Sequence, residues 1–262
     1  MRFTKLVSPS LTELFVKEIA QRILSGAMSV GERLPNEREL ARMMKVSRAV
    51  INGGMSQLAR MGFVDVVPRQ GIFVADYTEK GTLDSLQTIL EYNGGRFDPI
   101  MMDSIYEMRN CEESHIAVLA AMRRTDRDIA DLRALIEALE DSDDLETLVE
   151  KTFKFYQLLA KASGNVLYPM LLYSRKAIYA PLLRIVYVHS HKESRLGRMR
   201  RLVDLIEEGR GEDAAECIRE TSRWSREILN KQHPPERTRS QDNVLNPASP
   251  PPEKSAIGPD VL

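Results

Sequence analysis

The sequence predicts a mainly α-helical protein: an N-terminal winged helix-turn-helix followed by an all-α helical bundle of about seven helices. Three observations predict it. Residues 8–76 mix helical apolar spacing with short extended runs. Residues 81–230 keep helical periodicity throughout, with no convincing strand. Charge divides along the same line: residues 1–75 carry 11 Lys and Arg against 6 Asp and Glu, whereas residues 76–230 carry 22 against 28. A basic segment joined to an acidic remainder suits a nucleic-acid module attached to a part that does not touch nucleic acid.

Composition excludes several classes. The chain has 262 residues, 43% of them hydrophobic, enough for a sizeable core. No apolar run approaches the ~18 residues needed to cross a bilayer. Residues 1–10 lack the apolar stretch of a signal peptide, so a cytoplasmic protein with no membrane partner is expected. Cys111 and Cys217 are isolated and read as reduced thiols. There is no nucleophile elbow, phosphate loop, zinc spacing or dinucleotide fingerprint, so neither an enzyme nor a cofactor is expected.

The first region reads element by element. Leu11, Leu14, Phe15, Ile19 and Ile23 recur at helical spacing, and Gly26 ends that helix. A short extended piece covers 29–34. Asn36 is placed to cap a second helix, with Glu39 three residues on in capping-box position and Leu40, Met43 and Met44 as its apolar side. That helix ends near Lys45–Val46. Ser47 caps a third, spanning 48–61 and closed by Gly62. Residues 63–67 and 72–74 read as strands around a turn at 68–71.

In this arrangement the helix after the tight turn enters the major groove by its N-terminus. Ser47 and Arg48 stand there, where free amides also attract a phosphate. Arg38, early in the preceding helix, is placed for a base edge or the backbone. Arg69, beside Gly71 at the hairpin tip, is placed for the minor groove or backbone.

Leu34-Pro35-Asn36-Glu37-Arg38-Glu39-Leu40-Ala41 resembles the L-P-S-E-R-E-L-A opening of GntR-family regulators. Val46-Ser47-Arg48-Ala49-Val50 resembles their V-S-R-T-P/T-V, and Arg69-Gln70-Gly71-Ile72-Phe73-Val74 their wing ending, G-x-G-T-F-V. The resemblance covers residues 8–75 almost continuously. One departure is Ile51-Asn52-Gly53-Gly54-Met55, where the family usually has Arg-Glu-Ala after the valine. Asn52 therefore stands where a second DNA-contacting arginine is common, and asparagine reads adenine. Gly53 and Gly54 cost roughly 1 kcal/mol each relative to alanine inside a helix. Either the helix packs closely on the core there, or it tightens only on DNA.

In the second region, helices are expected at 82–93, 99–123, 126–140, 143–163, 166–189, 192–209 and 211–230, with breaks at Gly164–Asn165 and at 208–211. A bundle of this kind can hold a ligand between its helices. Ile105-Tyr106-Glu107-Met108-Arg109, Leu159-Ala160-Lys161-Ala162-Ser163-Gly164-Asn165 and Ile206-Glu207-Glu208-Gly209 resemble patches of the FadR-type effector domain of the same family, the FCD domain. The helix at 82–93 favours the FadR group, with seven effector helices, over the six-helix VanR group.

Many domains of this family bind a divalent metal through one Asp and three His. The matching positions here hold Thr152, Tyr156, about Met199 and about Ser222, none a good ligand, so the resemblance implies a pocket without metal. FadR itself lacks these ligands and binds long-chain acyl-CoA. The resemblance thus raises an acyl-CoA, or another apolar acid, as the effector. Arg109 either meets an effector carboxylate or closes a salt bridge. Tyr156 and Tyr173 offer a ligand hydroxyls or pack in the core.

The expected organisation is a DNA-binding domain over 8–76, a linker and extra helix over 77–98, a ligand-binding and dimerisation domain over 99–232, and a disordered proline-rich tail over 233–262. The expected function is a ligand-responsive transcriptional regulator, a repressor of metabolic genes, that binds a palindromic double-stranded DNA operator as a homodimer. Arg38, Ser47, Arg48, Asn52, Arg69 and Gly71 are its candidate DNA contacts, and Arg109, Thr152, Tyr156 and Met199 its candidate effector contacts. The alternative is an architectural DNA-binding protein without an effector.

Overall fold

The computed structural model describes residues 9–93 and 99–232, and they form two compact units that divide within 94–98. The expected tail over 233–262 lies outside the described residues.

The first unit begins with α1 (Leu11–Leu24), capped by Ser10, whose side chain and that of Glu13 exchange hydrogen bonds in a capping box. Phe15, Val16, Ile19, Ala20, Ile23 and Leu24 are its buried face. Leu11 and Leu14, which share the helical apolar spacing, are 56% and 48% exposed. The first turn of α1 therefore turns its leucines outward, and the inward stripe begins at Phe15. α2 (Glu37–Met44) starts with the capping box read from the sequence: Asn36 accepts from the amide of Glu39 at 3.0 Å, and Glu39 accepts from that of Asn36 at 3.0 Å. Leu40 is its buried anchor, whereas Met43 is exposed, because an eight-residue helix presents little more than one residue per turn to the core.

Lys45, in the left-handed conformation at φ 55°, turns the chain into α3 (Arg48–Arg60). Gly62 (φ 77°) ends it; a β-carbon there would meet the Lys80 carbonyl oxygen at 2.1 Å. β1 (Val64–Val67) and β2 (Gly71–Val74) pair antiparallel, with Val64 opposite Val74, and Arg33 bridges to Phe73 at the sheet's other side. Residues 77–93 carry α4 (Tyr77–Lys80) and α5 (Leu83–Tyr92). The Tyr77 ring lies 5.6 Å from that of Phe63, Lys80 pairs with Asp65 at 2.6 Å, and Ile89 and Tyr92 pack on the same core. The described part, 77–93, of the segment expected as linker and extra helix is thus folded onto the first unit.

The second unit has seven helices among the described residues: α6 (Pro99–Arg123), α7 (Asp126–Glu140), α8 (Leu145–Ala162), α9 (Leu167–Ser174), α10 (Lys176–Val188), α11 (Lys192–Glu207) and α12 (Gly211–Gln232). The number seven stands for another reason than the one expected. The helix at 83–92 belongs to the first unit, and the segment expected as one helix over 166–189 is two, meeting at Arg175. Arg175 is buried, donating to the Leu171 carbonyl at 2.9 Å and pairing with Glu112, which anchors that corner against α6. The expected breaks at Gly164–Asn165 and 208–211 fall at the junctions between helices. At the first, Gly164 takes φ 69° and Asn165 accepts from the Leu167 amide at 3.0 Å; at the second, Gly209 takes φ 76°. α6 lies along α12, and α8 is packed by α6, α7 and α10 around Phe153, Phe155, Leu159, Val203 and Ile218.

Candidate DNA-reading face and effector cavity

In the first unit, the N-terminus of α3 is open to solvent. Ser47 caps it by accepting from the Val50 amide at 3.3 Å and is itself exposed. Arg48 and Asn52, one turn apart on α3, are exposed too. Glu37 on α2 sits against both. Its carboxylate is 4.0 Å from the Arg48 guanidinium. The Asn52 amide, oriented nitrogen-first, donates to it at 3.0 Å and to the Arg48 carbonyl at 3.1 Å. An exposed contact of this kind is worth at most about 1 kcal/mol, so a phosphate or base edge displaces it readily. Glu37 thus contacts both candidate side chains, and nothing in its place at the helix opening signals this in the sequence.

Arg38 and Arg69 are exposed and form no ion pair among the described residues. Arg69 takes φ 65° at the hairpin tip, where the family's wing pattern has a glycine. Gly71 at φ 130° serves the backbone: a β-carbon there would come within 3.0 Å of the Arg33 side chain. The two readings of the glycine pair divide. A β-carbon on Gly54 would lie 2.2 Å from the Phe15 ring, so α3 needs that glycine to seat on α1. Gly53 has only Thr12 near it, at 3.7 Å, and its lack of a side chain has no packing cause.

In the second unit, α6, α8, α10, α11 and α12 enclose a cavity of about 60 Å³ that opens to solvent. Arg109, Thr152, Tyr156 and Met199 all line it, as does Ser222. The four positions matching the family's metal ligands are thereby brought together. Two hydroxyls, a phenol and a thioether, beside the guanidinium groups of Arg195 and Arg198, do not fit a divalent cation.

Arg109 is not a free cation. Its Nε donates to Glu113 at 2.9 Å, both side chains being almost fully buried, and its guanidinium lies 4.5 Å from the Tyr179 ring centre and 5.3 Å from that of Tyr106. The Tyr179 hydroxyl donates to the same carboxylate at 2.6 Å. Burial pulls the Arg109 guanidinium down, but the Glu113 charge, the Tyr179 and Tyr106 phenols and the hydrogen bond to Glu113 together hold the group well above its ordinary value. Burial, then the Glu113 charge, pushes the Tyr179 phenol up. Thr152 is occupied by the Tyr187 hydroxyl. Tyr156 is edge-on to Phe155 at 5.7 Å, and burial raises its phenol. Tyr173 is exposed on α9, away from the cavity lining.

The cavity also holds groups that the sequence did not single out. Arg195 and Arg198 come from α11, and Thr221, Trp224 and Ser225 from α12. Arg195 and Arg198 share a face with Met199 at helical spacing, but Glu193-Ser194-Arg195-Leu196-Gly197-Arg198-Met199-Arg200-Arg201 is so rich in arginine that neither stands out in the sequence.

These two units define a class: a winged helix-turn-helix DNA-binding protein carrying an all-helical effector domain with an internal cavity. Family models match both. Residues 11–74 match the bacterial regulatory proteins of the gntR family, and residues 104–222 match the FCD domain. The chain is 30% identical over 184 residues to a fatty acid metabolism regulator protein of Shewanella frigidimarina, covering 70% of this chain and 74% of that one. It is 29% identical over 175 residues to the HTH-type transcriptional regulator Mce2R of Mycobacterium tuberculosis, covering 66% and 72%. A solved structure of Lar, which controls the expression of the Listeria monocytogenes agr system, shares the fold at TM-score 0.53 and 17% identity, covering 86% of this chain and 99% of that one. The chain belongs to the GntR family, with an FCD effector domain, and is a ligand-responsive DNA-binding transcriptional regulator.

Proposed function

We propose that this protein is a cytoplasmic repressor of metabolic genes, without catalytic activity, that binds a palindromic operator as a homodimer and releases it when an apolar acid enters the second unit. The observation that carries the reading is a solvent-open recognition helix, headed by Ser47, Arg48 and Asn52, in one chain with a walled cavity whose cations exceed its carboxylates. Arg48 and Asn52 suit base edges, and Arg38 and Arg69 suit phosphates.

Two features support a dimer. One recognition helix per chain covers too few base pairs for specificity. α6 and α9 also expose an uncharged surface: Met108, Cys111, His115 and Met122 recur along α6, Leu167, Met170 and Tyr173 lie on α9, and Val166 directly precedes it. The His115 and Tyr168 rings, 6.3 Å apart, join the two helices there. Light scattering is expected to give a dimer with and without DNA; a monomer in both would overturn it.

The function is tested by selecting operators from random DNA and titrating the complex with short organic acids and acyl-CoAs. A palindromic site released by an acid is expected; binding insensitive to every acid would favour the architectural alternative. The name of the Shewanella relative, fatty acid metabolism regulator protein, favours an effector from fatty acid metabolism, among which the family resemblance raises a long-chain acyl-CoA. Against it stands the cavity's size: about 60 Å³ holds about four waters. An acyl chain would require the helices to part, whereas a short acid would not.

A further inference from the structure

The cavity of the second unit has three cationic side chains and one carboxylate on its walls: Arg109, Arg195, Arg198 and Glu113. Glu113 neutralises Arg109, leaving two guanidinium groups without a carboxylate partner among the described residues. Four buried polar side-chain atoms in the described residues lack a hydrogen-bond partner, and three belong to residues of this wall: Arg195 Nε, Arg198 Nε and Ser222 Oγ. A buried donor left unpaired is costly, so three in one place mark a site completed by something else.

The surroundings hold the two arginines in place without neutralising them. Arg195 lies 4.2 Å from the Tyr187 ring centre and donates through Nη1 to the Ser190 hydroxyl at 2.9 Å. Arg198 lies 4.7 Å from the ring of Trp224. Both sets of contacts are to neutral groups. Burial pulls the Arg195 guanidinium below its ordinary value, where Arg109 and Arg175, each facing a glutamate, are raised.

We propose that Arg195, Arg198 and Ser222 form the seat of the effector's anionic head, a compact oxyanion of about five heavy atoms bound directly by the two guanidinium groups and the serine hydroxyl, and that Arg109 takes no part in holding it. This rests on the reading of the second unit as an effector domain. The donor chemistry follows from the groups: an oxyanion accepts from all three. The size follows from the space: about 60 Å³ accommodates the head, and a longer tail would require the helices to part. A carboxylate and a phosphate share this chemistry.

Trp224 is the single tryptophan of the chain and touches Arg198, so its emission reports on the seat. The full-length protein, without DNA and at constant ionic strength, is titrated with butyrate, inorganic phosphate and the neutral butyramide. A saturable change with butyrate or phosphate is expected, and which of the two acts tells a carboxylate head from a phosphate head. Butyramide is expected to give none. Arg195→Gln and Arg198→Gln are expected to weaken the response at least about tenfold, Ser222→Ala about tenfold, and Arg198→Lys, which keeps the charge, by less. Circular dichroism verifies that each variant is folded. Silence toward both anions, an equal response to butyramide, or an unchanged midpoint in both glutamine variants would overturn the seat. Titrating operator-bound protein with the same anions separates the two readings. Saturable emission without operator release leaves the seat standing and removes the effector reading. Operator release without any change at Trp224 does the reverse.

Discussion

Arg109 and Glu113, one turn apart on α6, close an ion pair at 2.9 Å inside the second unit, with the Tyr179 hydroxyl on the same carboxylate. Glu113→Gln leaves a buried guanidinium without its counter-charge. A loss of about 3–5 kcal/mol is expected in denaturant unfolding, whereas replacing both partners with apolar residues of similar volume is expected to recover most of it. A Glu113→Gln protein as stable as the parent would show that the pair is solvated.

The two glycines of the recognition helix are expected to respond in opposite directions. Gly54→Ala drives a methyl into the Phe15 ring and is expected to destabilise by about 1–3 kcal/mol. Gly53→Ala meets nothing closer than 3.7 Å and is expected to stabilise by up to about 1 kcal/mol. Thermal melts of the two variants check this, and a stable Gly54→Ala would contradict the close seating of α3 on α1.

At the DNA-reading face, Arg48→Ala is expected to remove specific operator binding, with about 1–3 kcal/mol lost for a bidentate base contact. Arg69→Gly separates binding from folding. It relieves about 1–2 kcal/mol of left-handed strain against about 0.5–1 kcal/mol of added chain entropy, so stability stays near the parent's or rises slightly. Operator affinity is expected to fall, with the salt slope lower by about 1. Fluorescence anisotropy over a salt series reads both variants.

Asp144 caps α8, and the Thr147 hydroxyl and then the Thr147 amide hold its carboxyl below the ordinary value. A group depressed in the folded state contributes stability above its unfolded value, near 4, and loses it as pH falls through the folded value. Asp144→Asn keeps a capping oxygen without the charge. Its melting temperature is expected to match the parent's near neutrality and to fall less steeply below pH about 4. Parallel acid titrations followed by circular dichroism decide it; identical slopes would leave Asp144 without a role in acid unfolding.

The sequence by itself determined what lies within a few residues of its own signal. The Asn36–Glu39 box, the Ser47 cap, the wing and the glycine breaks at 164 and 209 were all legible, because a cap or a left-handed turn is made by neighbours in the chain. The exposed positions of Arg38, Ser47, Arg48, Asn52 and Arg69 follow from the same signals, because they sit at fixed offsets from them. Only the tertiary structure decided which side chains meet across the bundle. It turned Leu11 and Leu14 outward, laid 83–92 on the first unit, and parted α9 from α10 at Arg175 through a contact with Glu112, 63 residues away. It sealed Arg109 with Glu113 and Tyr179, and left Arg195 and Arg198 without a carboxylate. Periodicity tells that a helix has an inward face, but the neutralisation of a buried charge depends on groups that distant segments bring to it. In an arginine-rich helix such as α11, that selection leaves no local trace.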